Sequence, residues 1–367
     1  MFCVSVVTFI VAFLALVSLG LSALTLLGLS RALRGPKRQR AARTKGREPS
    51  VLVIMPCKGI DLNFDDTIEA AKHQSYGNYE IIGVIDSDDD PSHDILERHG
   101  VRVMITDRRR MPERCSGKSF AILTALRNLG REYDVFVVLD SDTTVGRDWL
   151  RLLVRPLLSD DSIGVSTTFP TFSPVSGFWS RVKLVWGLVG RSMQNSSRTM
   201  FPWGGSMAFK RTLLDRVVAE LARNASDDIA VGRASRSMGL GVVSVPRAMP
   251  TVFVKESFGT FYEWSVRQTA WALQGNGALF KYGVTYYSAF CLNDVLLAYY
   301  AAALSPMAAI FAAPLLLNIA GFCAQTRRYS PAYYPIVALM PVLYLADLLA
   351  GKTARRVRWR GATYRLY

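Results

Sequence analysis

The chain has 367 residues, half of them hydrophobic, with a mean hydropathy of +0.19 and a formal charge of +15. That length allows one large domain plus membrane segments, and the hydropathy leans away from a purely soluble protein. Much of the basic charge sits beside apolar stretches, at 31–47 and 352–365, so membrane-flanking charge accounts for it better than a nucleic-acid-binding face does. Cys3, Cys57, Cys115, Cys291 and Cys323 form no CxxC pair, so neither a zinc site nor a disulfide framework is signalled and a reducing compartment is indicated.

Taken in chain order, residues 2–29 carry no charge, a run longer than the roughly 20 residues that cross a bilayer. The basic block comes after this run instead of before it, which predicts an uncleaved anchor over 1–30 and not a secretory signal. Arg31, Arg34, Lys37, Arg38, Arg40, Arg43, Lys45 and Arg47 make 31–49 a basic linker and place the domain beyond it in the cytoplasm. Over 50–257, short β-branched runs alternate with segments of helical length. Strands are expected at 51–55, 80–85, 101–105 and 135–139, and helices at 63–74, 92–99 and 119–129, giving an α/β layer with a parallel sheet covered on both faces.

Beyond this domain, 258–281 mixes Tyr, Trp and Phe and reads as an interfacial region. Residues 282–351 form an apolar region of two or three crossings, and 352–367 a basic tail. A cytoplasmic tail requires an even number of crossings after the domain. Two are therefore favoured, with part of 282–324 re-entrant or interfacial around Asp294. The segment 178–186, with Trp179, Arg181, Lys183 and Trp186, reads as a second interfacial element.

In parallel sheets ligands bind at the carboxyl ends of the strands, and the acidic clusters fall there. Asp140-Ser141-Asp142 directly follows the strand at 135–139. Two carboxylates on such a turn suit Mg2+ or Mn2+, completed by the phosphates of a nucleoside diphosphate. Capping of the next helix is the plainer alternative. Asp86-Ser87-Asp88-Asp89-Asp90-Pro91 follows the second strand, either as a solvated turn and helix cap or with one or two carboxylates suited to a base or ribose. Asp227-Asp228 opens a helical stretch, either as caps or as a general base over a donor sugar. Gly117-Lys118-Ser119 lacks the earlier glycine of a P-loop, since that place is Pro112, but Lys118 at a helix start can meet a diphosphate. His73, His93 and His99 lack triad or ligand partners, and the sequons at Asn195 and Asn224 fall in the cytoplasmic segment.

These motifs, in this order, resemble the family-two glycosyltransferases of the GT-A fold, especially the ceramide glucosyltransferase-like branch, which implies a Rossmann-like α/β domain with a mixed, mostly parallel sheet. The likeness runs from Ser50 to Tyr367. It is carried by Met55-Pro56-Cys57-Lys58-Gly59, the Asp86 cluster, Gly117-Lys118, Asp140-Ser141-Asp142, Gly204-Gly205-Ser206, Asp227-Asp228 and Arg267 to Trp271. The tail Trp359-Arg360-Gly361-Ala362-Thr363-Tyr364-Arg365 also resembles the end of that branch.

The resemblance implies an inverting displacement with Asp228 as base and a metal at Asp140 and Asp142. Donor contacts are implied at Pro56, Lys58, Asp86, Asp88, Lys118 and Asp140, and acceptor or diphosphate contacts at Gly205, Ser206, Arg267 and Trp271. Ala270 stands where the family's last motif has arginine, so that guanidinium contact is missing or comes from Arg267 or the basic tail. The expected partners are a nucleotide-sugar donor, a membrane lipid acceptor and the bilayer, with no nucleic acid. A hexose, first UDP-glucose, moving to a lipid hydroxyl is the expected reaction. A processive polysaccharide synthase, a polyprenyl-phosphate glycosyltransferase and a catalytically silent scaffold are its rivals.

Overall fold

The computed structural model describes residues 2–34 and 48–366. Most of the basic linker, including Lys37, Arg38, Arg40, Arg43, Lys45 and Arg47, lies outside the described residues. The rest divides into two compact units, an α/β unit over 48–180, 189–255 and 355–366 and a helical unit over 2–34, 181–188 and 256–354.

The chain begins with α1 (Phe2–Arg34) and then enters the α/β unit through β1 (Val51–Pro56), α2 (Phe64–Lys72), β2 (Tyr79–Ile85), α3 (Ser92–Arg98) and β3 (Arg102–Ile105). It continues with α4 (Gly117–Leu129), β4 (Val135–Leu139), β5 (Thr143–Thr144), α5 (Trp149–Ser159), β6 (Ile163–Thr167) and β7 (Thr171–Ser176). After α6 (Phe178–Met193) come β8 (Ser206–Lys210), α7 (Leu214–Leu221), α8 (Asp227–Ser237), β9 (Gly241–Ser244) and β10 (Thr251–Lys255). The helices α9 (Phe258–Gly275), α10 (Ala278–Ala302), α11 (Ala308–Thr326) and α12 (Tyr334–Thr353) come next, and the hairpin β11 (Arg356–Trp359) and β12 (Ala362–Arg365) ends the chain.

Seven strands form the main sheet in the order β3-β2-β1-β4-β8-β6-β9. β8 runs antiparallel to both β4 and β6, whereas the pairs β1–β2, β1–β4, β2–β3 and β6–β9 are parallel. One reversed strand therefore interrupts an otherwise parallel sheet. The central strands β1 and β4 are near-continuous apolar runs because both their faces are covered. Val51, Val53, Met55, Val135, Val137 and Leu139 enter one apolar layer with α2 and α5. Leu52, Ile54, Phe136 and Val138 enter the other with α4, α7 and α8. This is the period-two alternation of a strand read on two buried sides.

Helix α4 starts two residues before the expected 119 because Ser116 caps it, its hydroxyl oxygen accepting the Ser119 N–H at 3.1 Å. That cap moves Gly117 and Lys118 into the first turn.

In the helical unit, among the described residues, three segments are long and apolar enough to cross a membrane: Phe9–Ser30, Ala308–Thr326 and Pro331–Thr353. The region around Asp294 forms α10, a continuous 25-residue helix. Within α6, Lys183 and Trp186 are buried rather than placed at an interface. Lys183 pairs with Glu256 at 2.6 Å, and Trp186 donates its indole N–H to Asp347 at 2.8 Å. Asp347 also accepts the Ser265 hydroxyl at 3.0 Å, so the buried carboxylate of α12 has partners on both oxygens.

Phe136 is fully buried, with its ring centroid 5.3 Å from that of Phe209 on the neighbouring strand. Truncating such a ring removes both transfer energy and packing. Phe136→Ala is expected to cost about 3–5 kcal/mol, read as earlier thermal unfolding of the detergent-solubilised protein. A melting point equal to wild type would show that this ring does not hold the layer together.

Candidate active site

The carboxyl ends of β1, β2 and β4 open onto one edge of the main sheet, and the reversed β8 brings its amino end to the same edge, with Ser206 opposite Leu139. The loop after β1, the turn after β4, the Gly204-Gly205 segment and the amino ends of α4 and α8 thus supply the side chains of the site.

Lys118 is the hub. Its side chain is 10% exposed, and its ammonium lies 2.7 Å from an oxygen of Asp140 and 3.1 Å from one of Asp227. Burial alone would favour the neutral amine, but Asp140, Asp227 and Asp228 outweigh it and raise the Lys118 pKa, so the group stays charged. The carboxylates respond in the opposite sense. Burial and the neighbouring Asp140 push the Asp227 carboxyl up against the pull of Lys118. Burial and then Asp227 push Asp228 well above the ordinary carboxylate range.

Asp228 is half-buried in the first turn of α8, a helix capped by the Ser226 hydroxyl. One Asp228 oxygen accepts the backbone N–H of Gly204 at 2.6 Å. A Cβ at position 204 would lie 2.0 Å from an Asp227 oxygen and 2.4 Å from an Asp228 oxygen, so only glycine permits this approach. Gly205 is equally constrained, since a Cβ there would fall 2.2 Å from the Trp203 ring. Its carbonyl accepts the N–H of Asp140, tying the glycine segment to the acidic turn.

Of the candidates after β1 and β2, Pro56 ends β1, and Lys58 forms an ion pair with Asp86 at 2.7 Å, to which Arg108 adds a second cation at 3.3 Å. Asp88 stands apart, 74% exposed beside His93. Asp90 anchors the loop instead: its carboxylate accepts the Gly59 N–H at 3.0 Å and the Ser92 hydroxyl at 2.6 Å. Burial opposes ionisation of Asp90, but these hydrogen bonds more than offset it and lower its pKa. Ser206 is turned inward. Its hydroxyl is buried and accepts the Trp149 indole N–H at 2.7 Å, so its side chain belongs to the core and not to a ligand-facing surface.

Asp142 accepts the Thr143 hydroxyl at 3.1 Å on the turn that also carries Asp140. Among the described residues, no group of three or more His, Cys, Asp or Glu side chains forms a closed metal site. Two carboxylates on one turn suit a cation that takes its remaining ligands from phosphate and water.

Arg267 and Trp271 lie on α9 in the helical unit, the guanidinium carbon 5.8 Å from the Trp271 ring centroid. Between them Ala270 is 2% exposed and faces α12, where a Cβ on Gly351 would come 3.1 Å from the Ala270 nitrogen. An arginine at 270 would enter this tight helix–helix contact, which explains the small residue sterically.

Sequence reasoning passed over Asp61 and Arg108, and noted Arg360 and Tyr364 only as part of the basic aromatic tail. Asp61 accepts the Ser141 hydroxyl at 2.7 Å and both of its oxygens face the Arg360 guanidinium at 2.8 Å. Tyr364 accepts the Gly117 N–H at 3.2 Å. Only folding joins residues so distant in the chain; the one local signal was an aspartate three positions after Lys58.

Among solved structures, the chain is similar to the mannosyltransferase PcManGT from Pyrobaculum calidifontis in complex with GDP-Man and Mn2+. The TM-score is 0.58 at 20% identity, covering 92% of this chain and 97% of that one. It is also similar to glucosyl-3-phosphoglycerate synthase from Mycobacterium tuberculosis, solved with Mn2+, UDP-glucose and phosphoglyceric acid, with a TM-score of 0.46 at 17% identity over 66% of this chain and 86% of that one. No curated protein matches the sequence. The family match spans residues 10–367, nearly the whole chain, and agrees with the GT-A architecture and the resemblance read from the motifs. On that match the chain belongs to glycosyl transferase family 21 and is a glycosyltransferase.

Proposed function

We propose that this glycosyltransferase moves a hexose from a nucleoside-diphosphate donor to a hydroxyl of a membrane lipid with inversion at the anomeric carbon, and that UDP-glucose is the first donor to test. Asp228 carries this reading. It is a half-buried carboxylate at the strand-end edge, fixed by the Gly204 N–H at 2.6 Å, with its pKa pushed up by burial and Asp227. A raised pKa makes the carboxylate a stronger base toward the acceptor hydroxyl. In the proposed step the acceptor oxygen bonds to the anomeric carbon as the bond from that carbon to the diphosphate oxygen breaks. The bonding pair leaves with the diphosphate, and the acceptor proton passes to Asp228.

Lys58 with Asp86 is suited to the nucleoside, and Lys118 at the amino end of α4 to the phosphates. Asp140 and Asp142 would hold Mg2+ or Mn2+. When bound, the ion neutralises charge on the leaving diphosphate. The similar mannosyltransferase was solved with GDP-Man and Mn2+, which supports a metal of this kind and makes GDP-mannose the second donor to test. The lipid acceptor is supported by the three long apolar helices and by the resemblance to ceramide glucosyltransferases. A catalytically silent scaffold would bind donor without turnover, so product detection with nucleotide sugars and membrane lipids separates the two.

Three outcomes test this reading. Asp228→Asn should retain donor binding while lowering turnover by roughly a hundredfold or more. In the wild type, kcat/KM should fall as pH drops through a value above the ordinary aspartate range of about 4, because the ionised base is lost there. Near-normal turnover by the variant would remove Asp228 from the chemistry.

Asp140→Ala and Asp142→Ala should each abolish metal-dependent donor binding, and chelator should do the same to wild type. Calorimetry that finds UDP binding indifferent to chelator and to both substitutions would refute the metal assignment.

The protein is further proposed to be a multi-pass membrane protein with its site in the cytoplasm and two crossings after the α/β unit. Single cysteines introduced near Lys45 and near Thr363, in a background without native cysteines, should both resist an impermeant external reagent. Labelling at Thr363 alone would mean an odd number of later crossings, and labelling at Lys45 would put the site outside.

A further inference from the structure

The terminal hairpin β11–β12 belongs to the α/β unit and is held to the site by contacts from three of its residues. Arg360 at its tip donates to the Lys58 carbonyl at 2.8 Å and, through its other terminal nitrogen, to both oxygens of Asp61 at 2.8 Å. Tyr364 takes the Gly117 N–H at the first residue of α4. The Trp359 ring centroid lies 6.0 Å from the Lys118 ammonium. The hairpin thus meets the loop after β1, the amino end of α4 and the central lysine.

The tip conformation adds a second, independent observation. Arg360 and Gly361 both adopt positive φ, at 50° and 76°, as the two central residues of a two-residue hairpin turn. Such a turn favours Asn-Gly or Gly-Gly, and a long side chain in the left-handed region is disfavoured. An arginine is held there against that preference, and its guanidinium lies in the field of Asp61, Asp142 and Asp140. A strained residue held at a site by surrounding charges points to function rather than to turn formation.

Charge distribution then selects the ligand. Lys118, between Asp140 and Asp227, faces the phosphates from the α4 side, and Lys58 and Arg108 face Asp86. Arg360 holds Asp61, lies in the field of Asp142 and Asp140, and has a side chain that is 35% exposed, so its guanidinium also faces this side of the acidic turn. A diphosphate brought against Asp140 and Asp142 adds negative charge to an acidic edge, and a planar guanidinium fork matches phosphate oxygens.

We propose that Arg360, presented by the terminal hairpin, binds the donor's diphosphate, so that the hairpin is a wall of the donor site rather than a membrane-facing tail. This assignment rests on the nucleoside-diphosphate reading above and names a residue for it.

The test is calorimetry on the full-length protein in detergent with MnCl2, titrating UDP, UMP, GDP and GMP, alongside thermal unfolding without ligand. The wild type should prefer the diphosphate over the monophosphate of its own base. Arg360→Ala should weaken diphosphate binding roughly tenfold to a hundredfold. Monophosphate binding should change little, so the preference collapses, while the melting point reports separately on the lost Asp61 pair. Arg360→Lys, which keeps the charge but loses the fork, should fall between, and it decides by the same ratio if the alanine variant fails to fold. Arg356→Ala, on the exposed stem of the hairpin, should match wild type.

Arg360→Ala with wild-type UDP and GDP affinity would overturn the assignment, as would equal losses for mono- and diphosphate, which would mark a purely structural tether. In either case a wild type that still binds a nucleoside diphosphate leaves the proposed function standing. A wild type that binds neither UDP nor GDP would overturn both.

Discussion

The site depends on one ammonium. Asp140, Asp227 and Asp228 come together at the edge of the sheet, and like charges gathered in a partly buried place would drive one another neutral or apart without a compensating cation. Lys118 provides it, at 2.7 Å from Asp140 and 3.1 Å from Asp227. The amino end of a helix is the unfavourable end for a positive charge, so the helix dipole does not place this lysine there. The carboxylates do, and in return they remain close to one another at the edge of the sheet. Removing one member of such a buried set leaves an uncompensated charge, typically a cost of about 3–5 kcal/mol, so the charges stand or fall together.

The reversed strand is the second constraint. In an all-parallel sheet only carboxyl ends and the loops after them reach the binding edge. Because β8 runs against β4, the segment before it, Gly204-Gly205, arrives at that edge from the opposite direction. The Gly204 backbone can then donate to Asp228, and the absence of a side chain lets both aspartates of α8 lie against it. Strand direction and glycine are one device: the first delivers the backbone, and the second lets the acidic pair approach it.

The helical unit solves a different problem with the same rule. Polar groups among long apolar helices must find partners within the protein. Asp347 takes Trp186 and Ser265, and the Lys183–Glu256 pair is covered by the Trp264 ring, whose centroid is 4.3 Å from the ammonium. Close helix contact at Gly351 fixes a small residue at 270, so a position that resembles a ligand-binding motif in sequence is occupied by packing.

The sequence by itself determined the alternation of strands and helices, the positions of the acidic turns, the first apolar helix and the family. Those features are local: β-branched runs of strand length, carboxylates directly after them, and an uncharged stretch long enough to span a bilayer. It also marked Lys118 and Asp228 correctly as residues at helix starts. What only the tertiary structure decided is pairing. That Lys58 meets Asp86 while Asp88 stays in solvent depends on how the loops after β1 and β2 fold against each other. That Ser206 is spent on Trp149 depends on α5 lying across the start of β8. That Arg360 reaches Asp61 depends on a contact spanning 299 positions. Periodicity and composition report only on neighbours along the chain, whereas a charge is assigned its role by whichever opposite charge the fold brings within hydrogen-bonding distance.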